Sequence, residues 1–387
     1  MAMSSTPSAA STAVQIEPVT NKRLLHEFIT FPFTLYRDDP SWVPPFIEER
    51  RDFMDPKKNP FFEHARGQLF LARHNGAVIG TISAIVDENH NRAHNEQMCA
   101  WGFFECIDDQ DVAAALFAAA EAWGREQGAQ IMRGPLNFST NHELGLLIDG
   151  FDTPPMVMMT HNPRYYAPFI EALGYGKVMD LYAYIGDLDE RWLNAPPKVF
   201  HAAEKAMHKQ GVRIRKANLR DFRDEVDRVR SVYERAWTQH WGFVPFTDHE
   251  ADYLAKSLKP MLDEDIILIA ETAAGEPVGF SISFPDLHQA LKWSGGGRMW
   301  PFGALKFLWH RRKVNQIRLW GMGVVEEYRG RGIDAVFYVE TARAAIAKGY
   351  KRIEGSWILE SNTMMNRIIE RLGGRRYKTY RIYEKEL

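Results

Sequence analysis

Arg329-Gly330-Arg331-Gly332 is the stretch of this chain best equipped for chemistry. Two glycines permit a tight turn in which successive N–H groups face one point, and two arginines add full positive charges to the same place. Val324 and Val325 end an apolar run ahead of the turn. After it, Val336, Val339, Ala342 and Ile346 recur with helical spacing, so a helix is expected from about Asp334 to Lys348, stopped by Gly349. Strand, glycine-basic turn and helix in that order make a phosphate cradle, because the helix start supplies free N–H groups and the positive end of its dipole. The spacing excludes two commoner cradles: GxGxxG with an acid about twenty residues on, and GxxxxGK(S/T), are both missing here.

The elements around the cradle follow from periodicity. A strand is expected at Arg352 to Leu359, then a helix from Asn362 that carries Met365, Ile368, Ile369 and Leu372 on one side and closes at Gly373-Gly374. A strand-like tail from Arg375 to Leu387 bears Tyr377, Tyr380 and Tyr383. The same order occurs earlier in the chain. Leu69-Phe70-Leu71-Ala72, a turn at Asn75-Gly76 and Val78 to Ser83 match Ile267-Leu268-Ile269-Ala270, a turn around Gly275 and Val278 to Ser283. Each hairpin precedes a strand, a helix and another strand: Trp101 to Glu105, Asp111 to Gln127 and Ile131 to Arg133 in the first copy. Asn162 leads a helix there as Asn362 does in the second. Where the second copy has its arginines and glycines, the first has Asp108, Asp109 and Asp111, which repel phosphate. At about 4 Å each such pair costs about 1 kcal/mol in water and about 4 at an effective dielectric of 20. One active site per chain is therefore expected.

Arg329-Gly330-Arg331-Gly332-Ile333-Asp334 resembles the RxxGx(G/A) acyl-CoA pyrophosphate loop of the GNAT (GCN5-related N-acetyltransferase) superfamily. The resemblance implies an α/β fold of two tandem GNAT-like domains, each a mixed central sheet flanked by helices. Residues 1–14 would be a disordered tail, 15–190 the N-terminal domain with a degenerate CoA loop, 191–211 a linker helix and 212–387 the acyl-CoA-binding domain. It also implies that Val324 or Val325 holds the thioester carbonyl by a main-chain N–H and that Asn362 starts the helix beside the thioester. Two positions depart from the pattern. The last small residue of the loop is Asp334, expected to turn away and cap its own helix, and the tyrosine that would protonate the leaving thiolate is Ile369. Gly134 to Ser139, Asp149 to Pro155 and Trp237 to Pro245 resemble phrases of a bacterial tandem-GNAT group that includes ceramide synthases, which N-acylate a sphingoid base from a long-chain acyl-CoA.

Amide formation from a thioester needs an uncharged amine and a route for protons. Candidate bases are Glu360, Glu326 and His240, and candidate acids are Tyr380 and Tyr377, each weighed against an ordinary structural role. From Leu287 to Val325 there is no Asp or Glu, while Trp300, Phe302, Phe307 and Trp309 adjoin Arg311, Arg312 and Lys313. Aromatic rings beside cations suit an anionic membrane surface, so this segment is expected to face membrane or acceptor. The 387 residues, 45% of them hydrophobic, can bury a large core, and a net charge of -2 argues against a general nucleic-acid binder. Cys99 and Cys106 read as buried thiols, no metal-ligand spacing appears, and the Ser/Thr/Ala-rich start lacks the features of a signal peptide. The expectation is a cytoplasmic acyltransferase, peripheral to the inner membrane face, that joins a long-chain acyl group to a lipid amine. Acetylation of a small soluble amine, or acyl-CoA binding without catalysis, are the alternatives. A fourth class, which ligates amino acids from aminoacyl-tRNA, needs no CoA loop and fits the cradle poorly.

Overall fold

The computed structural model describes residues 14–189, 198–238, 240–299 and 301–387, so residues 1–13 of the expected tail, 191–197 of the expected linker, and Trp300 lie outside the described residues. Strand β1 (Gln15–Pro18) leads to helices α1 (Lys22–Leu35) and α2 (Ile47–Phe53), then to the hairpin β2 (Ala65–His74) and β3 (Ala77–Asp87). Asn75 and Gly76 turn that hairpin with φ of 50° and 82°, the left-handed pair whose twist matches antiparallel strands. Next come α3 (Glu88–His94), β4 (Met98–Cys106), α4 (Gln110–Glu126) and β5 (Ile131–Gly134). A small pair, β6 (Leu136–Asn137) with β7 (Glu143–Leu144), precedes β8 (Leu146–Asp149), α5 (Tyr166–Ala172) and β9 (Gly176–Asp187).

Helix α6 (Lys198–Lys209) begins the second passage through the same order: β10 (Val212–Lys216), α7 (Phe222–Trp237), α8 (Asp248–Leu258), β11 (Ile267–Thr272) and β12 (Pro277–Pro285). Helices α9 (His288–Leu291) and α10 (Gly303–Arg311) form an arm before β13 (Gln316–Val324), α11 (Ile333–Ala347), β14 (Arg352–Leu359), α12 (Thr363–Arg371) and β15 (Arg375–Glu386).

Apart from the β6–β7 pair, the strands join in one sheet, ordered β1-β2-β3-β4-β5-β15-β9-β14-β13-β12-β11-β10, with β8 also on β15. Among the described residues only β4–β5 and β13–β14 pair in parallel. The closing strands are exchanged: β15, from the end of the chain, lies against β5, and β9 lies against β14. These central strands are covered on both faces, which is why β15 buries Lys378, Thr379 and Tyr380 in succession. Alternation sorts the outer strands. Leu71, Ile85 and Ala100 face the α1–α2 layer, while Phe70, Ala72, Ala84 and Trp101 face α4 and its Val112, Leu116, Phe117 and Ala120. Cys99 and Cys106 are free and buried.

Two sequence expectations change. Helix α11 is more than an amphipathic stripe, since Phe337, Thr341 and Ala345 are buried as well as Val336, Val339 and Ala342. Asn162 does not start its helix. Its amide accepts from Leu147 N–H at 2.7 Å and donates to Leu147 O at 3.1 Å, and α5 begins at Tyr166.

Candidate active site

Strands β13 and β14 pair only through Gln316–Leu319 and Arg352–Gly355, and then part. Beyond that point β14 follows β9 while β13 stays with β12, so Trp320 to Val324 are only partly covered although they lie well inside the sheet. The cleft between them exposes main-chain groups. Val325 N–H donates to Val278 O at 3.0 Å and so points toward β12. Antiparallel alternation turns the N–H and C=O of Val324 the other way, into the cleft. Val324 thus keeps its expected role available. Val325 does not, because its N–H is committed to the ladder.

The cradle closes the end of this cleft. Arg329 donates from Nε to Val324 O at 3.2 Å and from Nη2 to Ala236 O at 2.7 Å, and no carboxylate pairs with it among the described residues. Two carbonyls position its charge and leave it uncancelled. Arg331 is turned aside, with Nη1 on Gln210 Oε1 at 3.1 Å and its guanidinium 4.7 Å over the Tyr328 ring. Gly330 and Gly332 adopt φ of 70° and 85°. The N–H groups of Gly330, Arg331 and Gly332 donate to nothing within the described residues, and α11 begins at Ile333 without a side-chain cap. Gly332 is needed for packing too, since a Cβ there would stand 2.4 Å from that of Ala203 on α6. This array of open N–H groups at a helix start fits a diphosphate.

Asp334 corrects an expectation. It makes no cap and lies in the first turn of α11, whose N-cap is Gly332. Burial, with the Asp334 carboxylate nearby, holds the Tyr338 hydroxyl well above its usual pKa. That hydroxyl meets Met365 Sδ at 2.6 Å, so Tyr338 links α11 to α12 beside the loop. Asn362 caps α12 by accepting from Met365 N–H at 3.2 Å. Its side chain is committed to the helix start.

The acid and base candidates do not gather. Glu326 is exposed in the turn after β13. Glu360 is engaged by Lys177 Nζ at 2.7 Å and Asp180 N–H at 3.0 Å, on the β9 side. Tyr380 is fully buried and donates to Thr160 O at 3.2 Å, while the Tyr377 hydroxyl faces Met159 Sδ at 4.0 Å. Burial and the nearby Glu354 carboxylate raise both phenols well above their usual pKa. His240 lies near the cradle, as does Glu326, whose carbonyl accepts from Arg329 N–H at 3.1 Å; the His240 ring is 5.8 Å from that of Trp237. Partial burial and the Arg329 guanidinium lower its pKa and favour the neutral imidazole. Gly323 leaves room for Trp237, whose ring would be 2.1 Å from a Cβ there.

Sequence reasoning missed a buried ionic cluster below the cleft. Arg318 and Glu354, cross-strand neighbours one step before β13 and β14 part, approach to 3.6 Å at 1% and 0% side-chain exposure. Burial lifts Glu354 and Asp286 to about 7 and lowers Lys378 to about 8. Charged residues inside strands read as solvated edges until the exchange of β9 and β15 buries them. Sequence reasoning also missed an apolar pocket between α7, α8 and the β11–β13 face. Val229, Leu254, Ile269, Phe280 and Phe284 line it, and Trp320 brings it to the start of the parted segment of β13.

The arm shows an exposed apolar face. Trp293, Phe302, Leu305, Leu308 and Trp309 are 56–67% exposed, and Lys313 Nζ sits 3.6 Å over the Trp309 ring. Arg312 and Lys313 are exposed and Arg311 partly so. Phe307 points inward instead, its ring 5.7 Å from that of Phe46. No helix among the described residues is long and apolar enough to cross a membrane, and no group of His, Cys, Asp and Glu among them is placed to hold a metal.

No family model matches the chain. It is 37% identical to a bacterial ceramide synthase of Caulobacter vibrioides over 97% of this chain and 98% of that protein. The chain belongs to the bacterial ceramide synthase family. Protein YghO of Escherichia coli is a relative at 39% identity, over 95% of this chain and 94% of YghO. The fold is that of tandem GNAT proteins. A tandem GNAT protein from the clavulanic acid biosynthesis pathway superposes with a TM-score of 0.59 at 12% identity, covering 97% of this chain and 98% of that one. A GCN5-related N-acetyltransferase from Sphaerobacter thermophilus does so with 0.53 at 15% identity, over 96% and 95%. Like its family, this bacterial ceramide synthase relative is an amide-forming acyltransferase.

Proposed function

We propose that the chain transfers a long-chain acyl group from acyl-CoA to a lipid amine such as a sphingoid base, giving a ceramide-type amide. The observation that carries this reading is the apolar pocket under α7 and α8, whose Trp320 lies on the parted strand. A thioester held at Val324 with its diphosphate at the cradle would have this lined space for its chain. Each buried methylene favours binding by about 0.8 kcal/mol, so an apolar pocket selects long chains over acetyl.

Val324 N–H polarises the carbonyl in this reading, and Arg329 with the open N–H groups from Gly330 onward holds the diphosphate. The amine nitrogen forms the new C–N bond, the C–S bond breaks, and the amine loses its proton while the thiolate gains one. His240, neutral and near Arg329, is the candidate to take the amine proton. The arm would rest on anionic lipid by its exposed Trp293, Phe302 and Trp309, each added cation contributing about 1 kcal/mol.

Mass spectrometry of the purified chain with graded acyl-CoAs and long-chain amines tests the reading. Amides that favour palmitoyl-type donors are expected, and turnover with acetyl-CoA alone would refute it.

A further inference from the structure

A second pocket lies in the first half, between α1, the 42–45 segment and the 155–162 segment. Phe28, Ile29, Val43 and Leu146 give it apolar walls, and its polar lining includes Arg50, Glu105, Glu143, His161 and His288. Arg50 and Glu143 neutralise each other in a bidentate pair at 3.1 and 3.0 Å. Burial lowers the pKa of His161 and takes His288 to about 4, so both imidazoles are neutral. Glu105 stands apart. The hydroxyls of Tyr36 and Tyr166 both donate to its Oε2, at 2.5 and 2.8 Å, while Oε1 accepts no hydrogen bond among the described residues. Burial raises this carboxyl to about 8, and a cation against Oε1 would offset that penalty.

The rim of the pocket is fastened to the arm. Trp42, Val43 and Pro45 line it, and the residues that follow, Phe46 and Ile47, contact Phe307 and donate to Gly297 O at 3.0 Å. Met159 lines the pocket as well, and its Sδ accepts from Ser356 Oγ at 3.5 Å, one residue past the last pairing of β14 with β13. Yet Glu105 is not at the transfer centre. Through β5, β15, β9 and β14 the pairings set β4 antiparallel to β13, so their C-terminal ends lie at opposite edges of the sheet.

We infer that this pocket binds a long-chain primary amine, its ammonium against Glu105 Oε1 and its hydrocarbon along Phe28, Ile29 and Val43, as a holding site between the arm and the transfer cleft. The inference deepens the lipid-amine reading and rests on it.

Titration of the full chain with dodecylamine and with dodecanol, in the absence of donor and followed by tryptophan fluorescence, tests the site. The amine should bind about tenfold tighter than the alcohol. Glu105→Gln should remove about that factor for the amine and leave the alcohol within about twofold. Amine binding unchanged by Glu105→Gln overturns the inference. Should that variant not fold, a photoreactive long-chain amine on the native chain decides: labels within residues 28–45 or 155–162 uphold the site, and labels confined to α10 or to the α7–α8 pocket overturn it. The two readings fail separately. Acyl transfer to amines with Glu105-independent binding removes this site alone, whereas Glu105-dependent binding without transfer removes only the proposed reaction.

Discussion

The two parallel pairs of the sheet part in the same manner and end in opposite states. In the first, β4 and β5 pair from Met98–Ala100 with Ile131–Arg133 and then separate. Ile107 N–H bonds back to Ile79 O at 3.1 Å, so the N–H of Cys106 is turned into the gap as that of Val324 is in the second pair. There it donates to the Tyr166 hydroxyl at 2.7 Å. Phe103 N–H is taken by Asn137 Oδ1 at 2.8 Å, and Leu136 packs so close that a Cβ on Gly102 would be 2.1 Å from its carbonyl oxygen. At the helix start, Asp109 accepts from the N–H groups of Asp111 and Val112, the groups that the second half leaves open. Acids therefore do more than repel phosphate, because they occupy its donors. An array of open N–H groups can thus be closed without altering the fold, by giving each one a partner from within the chain.

The largest effect should come from making the second cradle like the first. Arg329→Asp with Arg331→Asp reverses two charges near the diphosphate. Reversing the sign changes each contact at about 4 Å by about 2 to 8 kcal/mol, so CoA affinity should fall by about 100-fold or more. Calorimetric titration with CoA checks it, and an unchanged affinity would remove the cradle from the donor site. A smaller effect is expected from filling the apolar pocket. Leu254→Trp should cut turnover with palmitoyl-type donors by about tenfold to fiftyfold and flatten the dependence on chain length, with an overpacking penalty of about 1–3 kcal/mol in stability. A donor series on the variant measures that slope. If the variant keeps the native chain-length preference, the acyl chain lies elsewhere.

This contrast also marks how far the chain could be read from its residues alone. Local signals succeeded where a segment depends on itself: the strand from Arg352 to Leu359 is as expected, and the hairpin turn at Asn75-Gly76 and the Asn362 cap are where the spacing puts them. Asn162 failed because a capping preference worth about 1 kcal/mol yields to a long-range pair of hydrogen bonds with Leu147. The exchange of β9 and β15 is invisible locally, since either strand satisfies the same ladder whichever half supplies its neighbour. Because the exchange went unseen, so did the burial of Arg318 and Glu354. Both pockets are assembled from segments far apart in sequence, which periodicity cannot bring together.

The plugged half offers a test by loss of stability rather than of activity. Tyr166→Phe leaves Cys106 N–H without its acceptor and Glu105 with one donor fewer, and should cost about 1–3 kcal/mol with donor KM unchanged. Thermal melts and donor kinetics on the same preparation separate the two. Glu105 adds a pH signature. Burial raises its folded pKa to about 8, so the folded state holds a proton that the unfolded chain releases near the ordinary carboxylate value. The sign follows from linkage. Stability should decline as pH rises from about 4.5 toward 8, and Glu105→Gln should flatten that decline in melts across the range. A decline of native slope in the variant would assign it to other groups.

The smallest effect concerns the acid that the second cradle keeps. Asp334 lies in the first turn of α11, where a negative charge favours the helix by about 0.3–1 kcal/mol but opposes a diphosphate at the same N–H groups. Its side chain makes no cap, so removing the charge gives up no hydrogen bond at the helix start. Asp334→Asn should therefore tighten CoA binding by about threefold to tenfold, a gain of about 1 kcal/mol, while the melting temperature falls slightly. Opposite signs in binding and stability are the outcome to look for. If CoA binds the variant more weakly, Asp334 must support the donor, and the rule that acids at this position exclude phosphate would hold for the first half alone.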